Sequence, residues 1–168
     1  MSLATARTDD PATGTTARAT PGKYLTFSLA SEEYGVSVLK VREIMKMMDI
    51  TVVPQVPSHV RGVINLRGKV IAVVDLRLKF GFEAKEETDE TAIVVVEIAV
   101  DGGTILTGLV VDSVSDVLNI VSDEIEATPA FGDRVKTDYI SGMAKVKGRV
   151  KILLDLDRAI GWDARMSA

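Results

Sequence analysis

The chain contains a single histidine, His59, and no cysteine. His59 stands at the start of an apolar run, and no serine or metal-ligand residue lies at the spacing that a general base or a metal site requires. The lack of cysteine excludes disulfides, thiolate zinc sites and cysteine nucleophiles. We therefore predict a loop or strand-edge role for His59, with histidine catalysis as the less favoured alternative.

Two groups of carboxylates are the other candidates for chemistry. Asp75 and Asp155 could form a symmetric acid pair, but each follows an apolar run and precedes a short helical pattern, where aspartate caps a helix N-terminus. The acidic residues between 112 and 126 lack the order and the central glycine of a calcium-binding loop. We predict helix caps and a solvated acidic edge, and we expect no catalytic residue, metal or cofactor.

Arg67 is the residue whose position best fits a binding role. It stands beside Gly68 between two apolar runs, His59–Leu66 and Val70–Leu76, and this arrangement predicts a β-hairpin with Arg67 at its tip. Arginine is enriched at interface hot spots because its planar fork makes directional hydrogen bonds. We predict a protein interface at Arg67, and a solvated surface arginine is the alternative.

The segment that contains Arg67 occurs twice in the chain. Residues 62–81 read GVINLRGKVIAVVDLRLKFG, and residues 142–161 read GMAKVKGRVKILLDLDRAIG, with glycines, an aspartate and basic residues in register. A weaker repeat relates residues 34–44 to residues 107–117. Each half therefore has the same two parts in the same order, which predicts a duplicated structural unit.

The elements that must position these residues are mostly strands. Alternating apolar and polar residues predict strands on either side of Glu32, and Gly102 joins two further apolar runs as a hairpin. Residues 41–48 have apolar side chains at helical spacing and predict a short helix or helical turn. Gly81 and Gly161 are predicted to end the helices that Asp75 and Asp155 begin. Several runs are apolar on both faces, as in closed barrels.

We therefore predict a mostly β protein of two tandem small barrels with short helices, one barrel per repeat. The predicted subdomains are approximately 23–85 and 91–162, exchanging a strand or packing closely, within one domain at 23–168. Residues 1–22 are poor in large apolar side chains and are predicted to be a disordered tail.

Composition restricts the class of partner. The net charge is −4 and the pI is about 5.1, which argues against a nucleic-acid-binding surface. The chain has neither an apolar run long enough to span a bilayer nor a signal-peptide pattern. We predict a cytoplasmic protein whose partners are other proteins, without direct membrane insertion.

Three segments of the chain resemble a known family. They are YGVSVLKVREI, VRGVINLRGKVIAVVDLRLKFG and GLVVDSVSDVLNI, and they resemble the bacterial chemotaxis coupling proteins of the CheW family over about residues 23–162. The resemblance implies two five-stranded SH3-like β-barrels. It also implies a non-enzymatic scaffold, recruited to membrane-associated arrays, that joins the cytoplasmic hairpins of methyl-accepting chemoreceptors to the regulatory domain of the histidine kinase CheA and controls its autophosphorylation.

The resemblance also implies contact residues. By position in the family motif, the receptor and kinase-coupling region would contain Val41, Glu43, Gly62, Asn65 and Arg67. An apolar groove between the barrels would receive the receptor hairpin, and its implied lining is Val38, Val41, Ile44 and Val114.

Three alternatives remain at this point. The chain could be an isolated regulatory domain of a CheA-type kinase, or an adaptor of the same fold in a pathway for surface motility or development. From a different class, it could be a small-ligand-binding barrel or an enzyme that uses Asp75, Asp155 or His59.

Overall fold

Strands dominate the computed structural model, which describes residues 19–83, 86–129 and 138–165. Two short helices, α1 (Leu76–Lys79) and α2 (Leu156–Arg165), each follow a hairpin. The strands are β1 (Gly22–Leu29), β2 (Glu32–Ser37), β3 (Val41–Lys46), β4 (Val60–Leu66), β5 (Lys69–Asp75), β6 (Ala92–Val100), β7 (Gly103–Val111), β8 (Ser113–Ile120), β9 (Ile125–Glu126), β10 (Ile140–Val146) and β11 (Arg149–Leu154).

The strands form two sheets that each mix the two halves of the repeat. Sheet 1 has the order β8-β1-β2-β11-β10-β9, and sheet 2 has the order β3-β6-β7-β5-β4. Neighbours are antiparallel except for the parallel pairs β2–β11 and β5–β7. The opening hairpin of each half therefore joins the closing hairpin of the other half. The strands of sheet 2 lie between Val41 and Val111, and the strands of sheet 1 lie before and after this range. The sheets therefore do not divide near residues 85–91, and the halves exchange a whole hairpin instead of one strand.

Each sheet curls until a short segment connects its two edges. In sheet 1, β8 forms one edge and β9 forms the other, where it pairs with β10. Residues 121–124 connect these two edge strands. In sheet 2, the chain continues from the edge strand β3 to Thr51, which exchanges two 2.9 Å backbone hydrogen bonds with Val63 of β4. Both sheets are thus small barrels, and the predicted mostly β fold is confirmed.

The central strands are apolar on both faces because they lie between two cores. Val73 and Val95 fill the interior of barrel 2, whereas Val74 and Val94 belong to a larger core that both sheets share. Barrel 1 has an equivalent small interior around Leu153. Closure into barrels explains why these runs lack the alternation of a one-sided sheet.

Residues 41–48 form a strand, so the predicted helix is wrong. β3 pairs with β6 from Val41 to Lys46, and its side chains alternate between partly buried and exposed. Ile44 is 47% exposed and Met48 is 38% exposed. These two apolar residues on the outer face produced the helical spacing. The helical turn nearest to this position is a single 3₁₀ turn at Val38–Lys40.

The chain ends also differ from expectation. The predicted disordered tail lies mainly outside the described residues, but residues 19–22 are ordered: Ala19 N donates to Ser141 O at 2.9 Å, and β1 begins at Gly22. Gly81, with φ of 86°, follows α1 as predicted. Gly161 does not end the second helix, because α2 continues to Arg165 across a kink at Ile160, where φ is −130°.

Thr107 on β7 offers a test of the shared core. Its side chain is fully buried, and its hydroxyl has no hydrogen-bond partner among the residues that the structure describes. Replacing it with the isosteric valine removes an unsatisfied polar group, so we expect Thr107→Val to raise the free energy of unfolding by about 1 kcal/mol. Urea denaturation measures the change.

The matched control is Thr26→Val. Thr26 is equally buried, but its hydroxyl donates to Asp116 O at 3.0 Å and accepts from Asp116 N at 3.1 Å. The same substitution should therefore destabilise the protein by about 1–2 kcal/mol. Destabilisation by both valines would show that the Thr107 hydroxyl has a partner.

Candidate functional site

The β4–β5 hairpin presents Arg67 on a rigid two-residue turn. Arg67 and Gly68 both have positive φ, 52° and 85°, as in the type I′ turn that matches the twist of a hairpin. The Asn65 side-chain oxygen accepts a 2.8 Å hydrogen bond from Gly68 N and fixes the turn. The predicted hairpin is therefore present. Its repeat in barrel 1 has the same turn at Lys147, where φ is 53°, followed by Gly148.

Arg67 forms an ion pair with Glu43 of β3. Arg67 Nη1 donates to Glu43 Oε1 at 2.7 Å, and Nη2 contacts the same oxygen. The Arg67 side chain is 70% exposed and the Glu43 side chain 30% exposed. An exposed pair of this kind contributes only about 0–1 kcal/mol to folding. Its main effect is to hold the guanidinium in one place on the surface.

Gly62 is buried and has a structural role. A Cβ atom at this position would lie 2.0 Å from Thr51 O, the carbonyl that closes barrel 2. Its φ of 143° is also unfavourable for other residues. The residue lets the closing segment approach β4, and it has no side chain to offer a partner.

The predicted apolar groove is only partly assembled. Ile44 and Val114 line one cleft of about 260 Å³ between the barrels, together with Lys46 and Ala92. Val41 packs instead against the shared core. The structure thus brings together one residue of the predicted lining from each half.

Val38 lies in a different place. It belongs to the crossover from sheet 1 to sheet 2 and lines a second cleft of about 230 Å³ with Tyr24 and Leu39. Leu39 is 80% exposed and was not predicted as a site residue. The signal that could have identified it is the break in strand alternation at Val38 and Leu39.

The residues considered for catalysis have structural partners. His59 Nε2 lies 2.7 Å from Asp163 Oδ1, and Lys79 Nζ lies 3.0 Å from Asp163 Oδ2, so both side chains contact a buried carboxylate of α2. Asp75 caps α1, since its Oδ1 accepts from Arg77 N at 3.0 Å. Asp155 caps α2 through a 3.3 Å hydrogen bond from Arg158 N. Both predicted caps are confirmed.

Asp75 and Arg77 form a buried ion pair that extends to Asp112. Arg77 Nη2 donates to Asp75 Oδ2 at 2.8 Å, and Arg77 Nη1 donates to Asp112 Oδ1 at 3.0 Å. Asp112 Oδ2 also accepts from Ala30 N at 2.8 Å. The predicted solvated edge is therefore wrong at Asp112, which joins the β7–β8 crossover to α1 and to the β1–β2 turn.

The charges of this cluster determine its protonation. Burial acts to raise the pKa of the Asp75 carboxyl, but the hydrogen bonds and charge of Arg77, with the charge of Arg61, outweigh burial and lower that pKa below its usual value. The hydrogen bond to Asp75 in turn raises the pKa of Arg77. Both groups are charged at neutral pH, as expected for a structural ion pair.

The described residues offer neither a metal site nor a membrane-spanning helix. Over residues 19–83, 86–129 and 138–165, no group of three or more His, Asp and Glu residues is arranged to hold a metal ion. None of the helices in the same part of the chain is long and apolar enough to cross a bilayer.

Comparison with known proteins supports the family resemblance. The family model of the CheW-like domain matches residues 23–164. Chemotaxis protein CheW of Klebsiella aerogenes is 34% identical over 138 residues, which cover 82% of this chain and 81% of that protein. Chemotaxis protein CheW of Bacillus subtilis is 34% identical over 147 residues, which cover 87% of this chain and 91% of that protein.

A solved structure shows the same fold. The crystal structure of the scaffolding protein TtCheW from Thermoanaerobacter tengcongensis superposes with a TM-score of 0.73 at 35% sequence identity, covering 84% of this chain and 93% of that one. Because the family model, the relatives and the fold agree over most of the length, the chain belongs to the CheW-like family.

Proposed function

We propose that this protein is a chemotaxis adaptor that couples the cytoplasmic hairpins of chemoreceptors to the histidine kinase CheA, and so controls kinase autophosphorylation. The observation that carries the proposal is the Arg67–Glu43 pair on a rigid, exposed hairpin of a CheW-like chain. The protein would act in the cytoplasm, recruited to receptor arrays at the membrane. It would act by binding alone.

The geometry of Arg67 suits a protein contact. Both of its terminal nitrogens contact one Glu43 oxygen, which leaves other N–H groups of the guanidinium for a partner. The type I′ turn and the ion pair restrict the side chain before binding, so less conformational entropy is lost when a partner binds. Because the hairpin tip projects from barrel 2, we assign it to the regulatory domain of the kinase, which we expect to have the same barrel fold.

The cleft at Ile44 and Val114 suits a different partner. Its walls come from β3 of barrel 2 and β8 of barrel 1, so an apolar side chain inserted there contacts both barrels. A receptor helix with apolar residues three or four positions apart fits such a site. Receptor states that pack differently against the cleft would shift the kinase between active and inactive states, by no more than their difference in affinity.

The alternatives have less support. His59, Asp75 and Asp155 each have a hydrogen-bond or ion-pair partner that explains their position without catalysis. The clefts of about 260 and 230 Å³ at the predicted site are smaller than the roughly 300–1,000 Å³ that small-molecule pockets usually occupy. An adaptor in a pathway other than swimming chemotaxis would use the same surfaces.

Replacing Arg67 tests the kinase contact. We choose asparagine as the replacement because it tolerates the φ of 52° at this position and removes the guanidinium. We expect Arg67→Asn to weaken binding to the kinase regulatory domain about 30-fold, or about 2 kcal/mol, and to leave binding to the receptor hairpin unchanged. Isothermal titration calorimetry against each partner measures both affinities.

The control is Lys147→Asn, the same substitution at the equivalent turn of barrel 1, where φ is 53°. It should leave the affinity for the kinase domain within twofold of wild type. Equal losses in the two variants would mean that Arg67 has no specific contact. Failure of the wild-type protein to bind either partner would contradict the proposed function.

A further inference from the structure

Two crossovers connect the two sheets, and each is joined to a helix by an ion pair. The β2–β3 crossover, Val38–Lys40, leads from sheet 1 to sheet 2, and the β7–β8 crossover at Asp112 leads back to sheet 1. Lys40 Nζ donates to Asp157 Oδ1 of α2 at 2.8 Å. Arg77 Nη1 of α1 donates to Asp112 Oδ1 at 3.0 Å. Both ion pairs therefore join a crossover to the helix that follows a closing hairpin.

The repeat makes the two ion pairs directly comparable. Asp157 in the second half aligns with Arg77 in the first, so the helix carries the carboxylate in one pair and the cation in the other. Each carboxylate also accepts a hydrogen bond from the backbone near the end of a hairpin. Ala30 N donates to Asp112 Oδ2 at 2.8 Å. Ala99 N donates to Asp157 Oδ1 at 2.8 Å. The two halves thus have the same junction with the charges reversed.

The two ion pairs differ in their exposure to solvent. The Arg77 and Asp112 side chains are 2% and 16% exposed. The Lys40 and Asp157 side chains are 29% and 39% exposed. Separation of the first pair would leave a buried guanidinium without one of its carboxylates, which is costly. Water reaches both groups of the second pair, so their separation costs little. The β2–β3 crossover therefore opens at lower cost than the β7–β8 crossover.

Short-range contacts define the shape of the β2–β3 crossover. Val41 N donates to Val38 O and closes the 3₁₀ turn. Arg42 Nη1 donates to Leu39 O at 3.0 Å. In both cases donor and acceptor lie three positions apart, so these contacts can move together with the turn. A register shift between Val41 and Glu43 also interrupts the pairing of β3 with β6. The ion pair to α2 is therefore an anchor for the turn outside its own segment.

We propose that the Lys40–Asp157 ion pair is a latch, which holds the β2–β3 crossover and the start of β3 in place and opens without unfolding of either barrel. β3 carries Glu43, which orients Arg67, and Ile44, which lines the cleft assigned to the receptor. A receptor hairpin on this edge binds the closed latch, so its binding is coupled to the contact with α2. This coupling rests on the proposed function, whereas the latch itself does not.

Amide hydrogen exchange of the full chain, followed by NMR, tests the latch without a partner. The Val41 amide reports on the β2–β3 crossover, because it donates to Val38 O. The Asp112 amide donates to Ser28 O at 3.0 Å and reports on the β7–β8 crossover. Exchange of each amide measures how often its crossover opens. A latch at one crossover should affect the first amide and leave the second unchanged.

The test variant is Asp157→Asn, which removes the charge and keeps a side-chain oxygen for Ala99 N. In low salt (about 20 mM), we expect the Val41 amide to exchange about three to five times faster than in the wild type, and the Asp112 amide at an unchanged rate. In high salt (about 500 mM), the difference at Val41 should fall below about twofold. The control is Arg158→Gln, because Arg158 pairs with the capping carboxylate of its own helix, and it should leave both rates unchanged.

A double variant separates the ion pair from other effects of the substitution. Lys40→Gln alone should accelerate exchange of the Val41 amide by the same factor as Asp157→Asn. The two substitutions together should give no further acceleration, because either one removes the same interaction. Effects that multiply in the double variant would mean that the two side chains act independently, and the latch would be wrong.

Addition of a receptor cytoplasmic hairpin tests the coupling. At a free hairpin concentration about ten times its Kd, exchange of the Val41 amide should slow about tenfold, as expected if the hairpin binds only the closed latch. Exchange of the Asp112 amide should stay within about twofold of its rate in the free protein. A bound hairpin that leaves the Val41 rate unchanged would overturn the coupling.

Two results for the free protein would overturn the latch. Equal Val41 rates in the wild type and in Asp157→Asn would show that the ion pair does not hold the crossover. Equal acceleration of the Val41 and Asp112 amides would show a loss of global stability instead of local opening. A wild type that binds no receptor hairpin would contradict the proposed function and the coupling with it, and the exchange rates of the free protein would still decide whether the latch exists.

Discussion

Replacing Arg77 with alanine is expected to lower the free energy of unfolding by about 3–5 kcal/mol, because it leaves a buried carboxylate without its main partner. The Arg77 side chain is 2% exposed and the Asp75 side chain fully buried. Arg77 donates to Asp75 and to Asp112, so its loss disconnects α1 from the β7–β8 crossover. Urea denaturation followed by circular dichroism measures the change.

The control is Arg158→Ala in the second helix. Arg158 pairs with its own capping aspartate, Asp155, at 3.5 Å, but its side chain is 52% exposed. We expect a change of less than about 0.5 kcal/mol, as for most surface substitutions. The loss in free energy of unfolding for Arg77→Lys should lie between the losses for these two variants. The lysine ammonium keeps the charge but lacks the planar fork that contacts both aspartates. Equal effects of Arg77→Ala and Arg158→Ala would contradict the role of the buried pair.

The same pair predicts how stability depends on pH. The pKa of the Asp75 carboxyl is lower in the folded protein than in the unfolded chain, where it is about 4. The ionised carboxylate therefore stabilises the folded protein fully above pH 4, and this stability is lost as the pH falls through the folded pKa. In Arg77→Ala, Arg77 no longer offsets the effect of burial, so the pKa of the Asp75 carboxyl should be higher than in the wild type. The difference in stability between wild type and variant should therefore shrink between pH 7 and pH 4. A difference that is constant over this range would contradict the argument.

Sequence alone predicted the parts of the fold that depend on local chemistry. The turn at Arg67 and Gly68 and the caps at Asp75 and Asp155 each involve residues within a few positions of one another, and all are present. The strand β3 was missed because its exposed apolar residue, Ile44, has the spacing of a helix. Partners distant in sequence were also missed, such as Asp112 with Arg77.

The exchange of hairpins has a basis in sequence that only the structure makes apparent. In barrel 1, the buried Lys151 of β11 forms an ion pair with Glu33 of β2, which lowers the pKa of that carboxyl. The equivalent positions in barrel 2 are Ile71 and Leu106, which pack in its apolar interior. Without exchange, Lys151 would face Leu106 and Glu33 would face Ile71. Exchange therefore places a charged pair in barrel 1 and an apolar pair in barrel 2. The unexchanged arrangement would bury an unpaired charge in each barrel, which disfavours it.

The candidate site was only partly predictable for the same reason. Glu43, Asn65 and Arg67 are brought together because barrel 2 closes, and closure places β3 beside the β4–β5 hairpin. Val38 and Val41 are both valines and lie three positions apart. Val38 lies on the crossover between the two sheets, whereas Val41 packs against the shared core. Family resemblance locates the region, and the position of each backbone segment decides which side chains are accessible to a partner.

Gly62→Ala is expected to lower the free energy of unfolding by more than about 4 kcal/mol, an exceptional value for one methyl group. The added Cβ would lie 2.0 Å from the Thr51 carbonyl oxygen, and both hydrogen bonds between Thr51 and Val63 would have to break or shift to relieve the clash. The clash is with backbone, so a rotamer change does not relieve it. Thermal and urea unfolding of the purified variant measure the loss.

The matched control is Gly142→Ala, at the equivalent position of barrel 1. There the nearest backbone atom, Glu126 O, would be 3.2 Å from the new Cβ, a contact that a small shift relieves. We expect a loss of about 1–2 kcal/mol. This comparison also separates two explanations of a coupling defect at Gly62. If Gly62→Ala unfolds far more readily than Gly142→Ala, the coupling defect follows from failure to close barrel 2. If Gly62→Ala is instead as stable as the wild type but no longer binds the kinase domain, Gly62 itself contacts the partner. Its structural role would then be wrong.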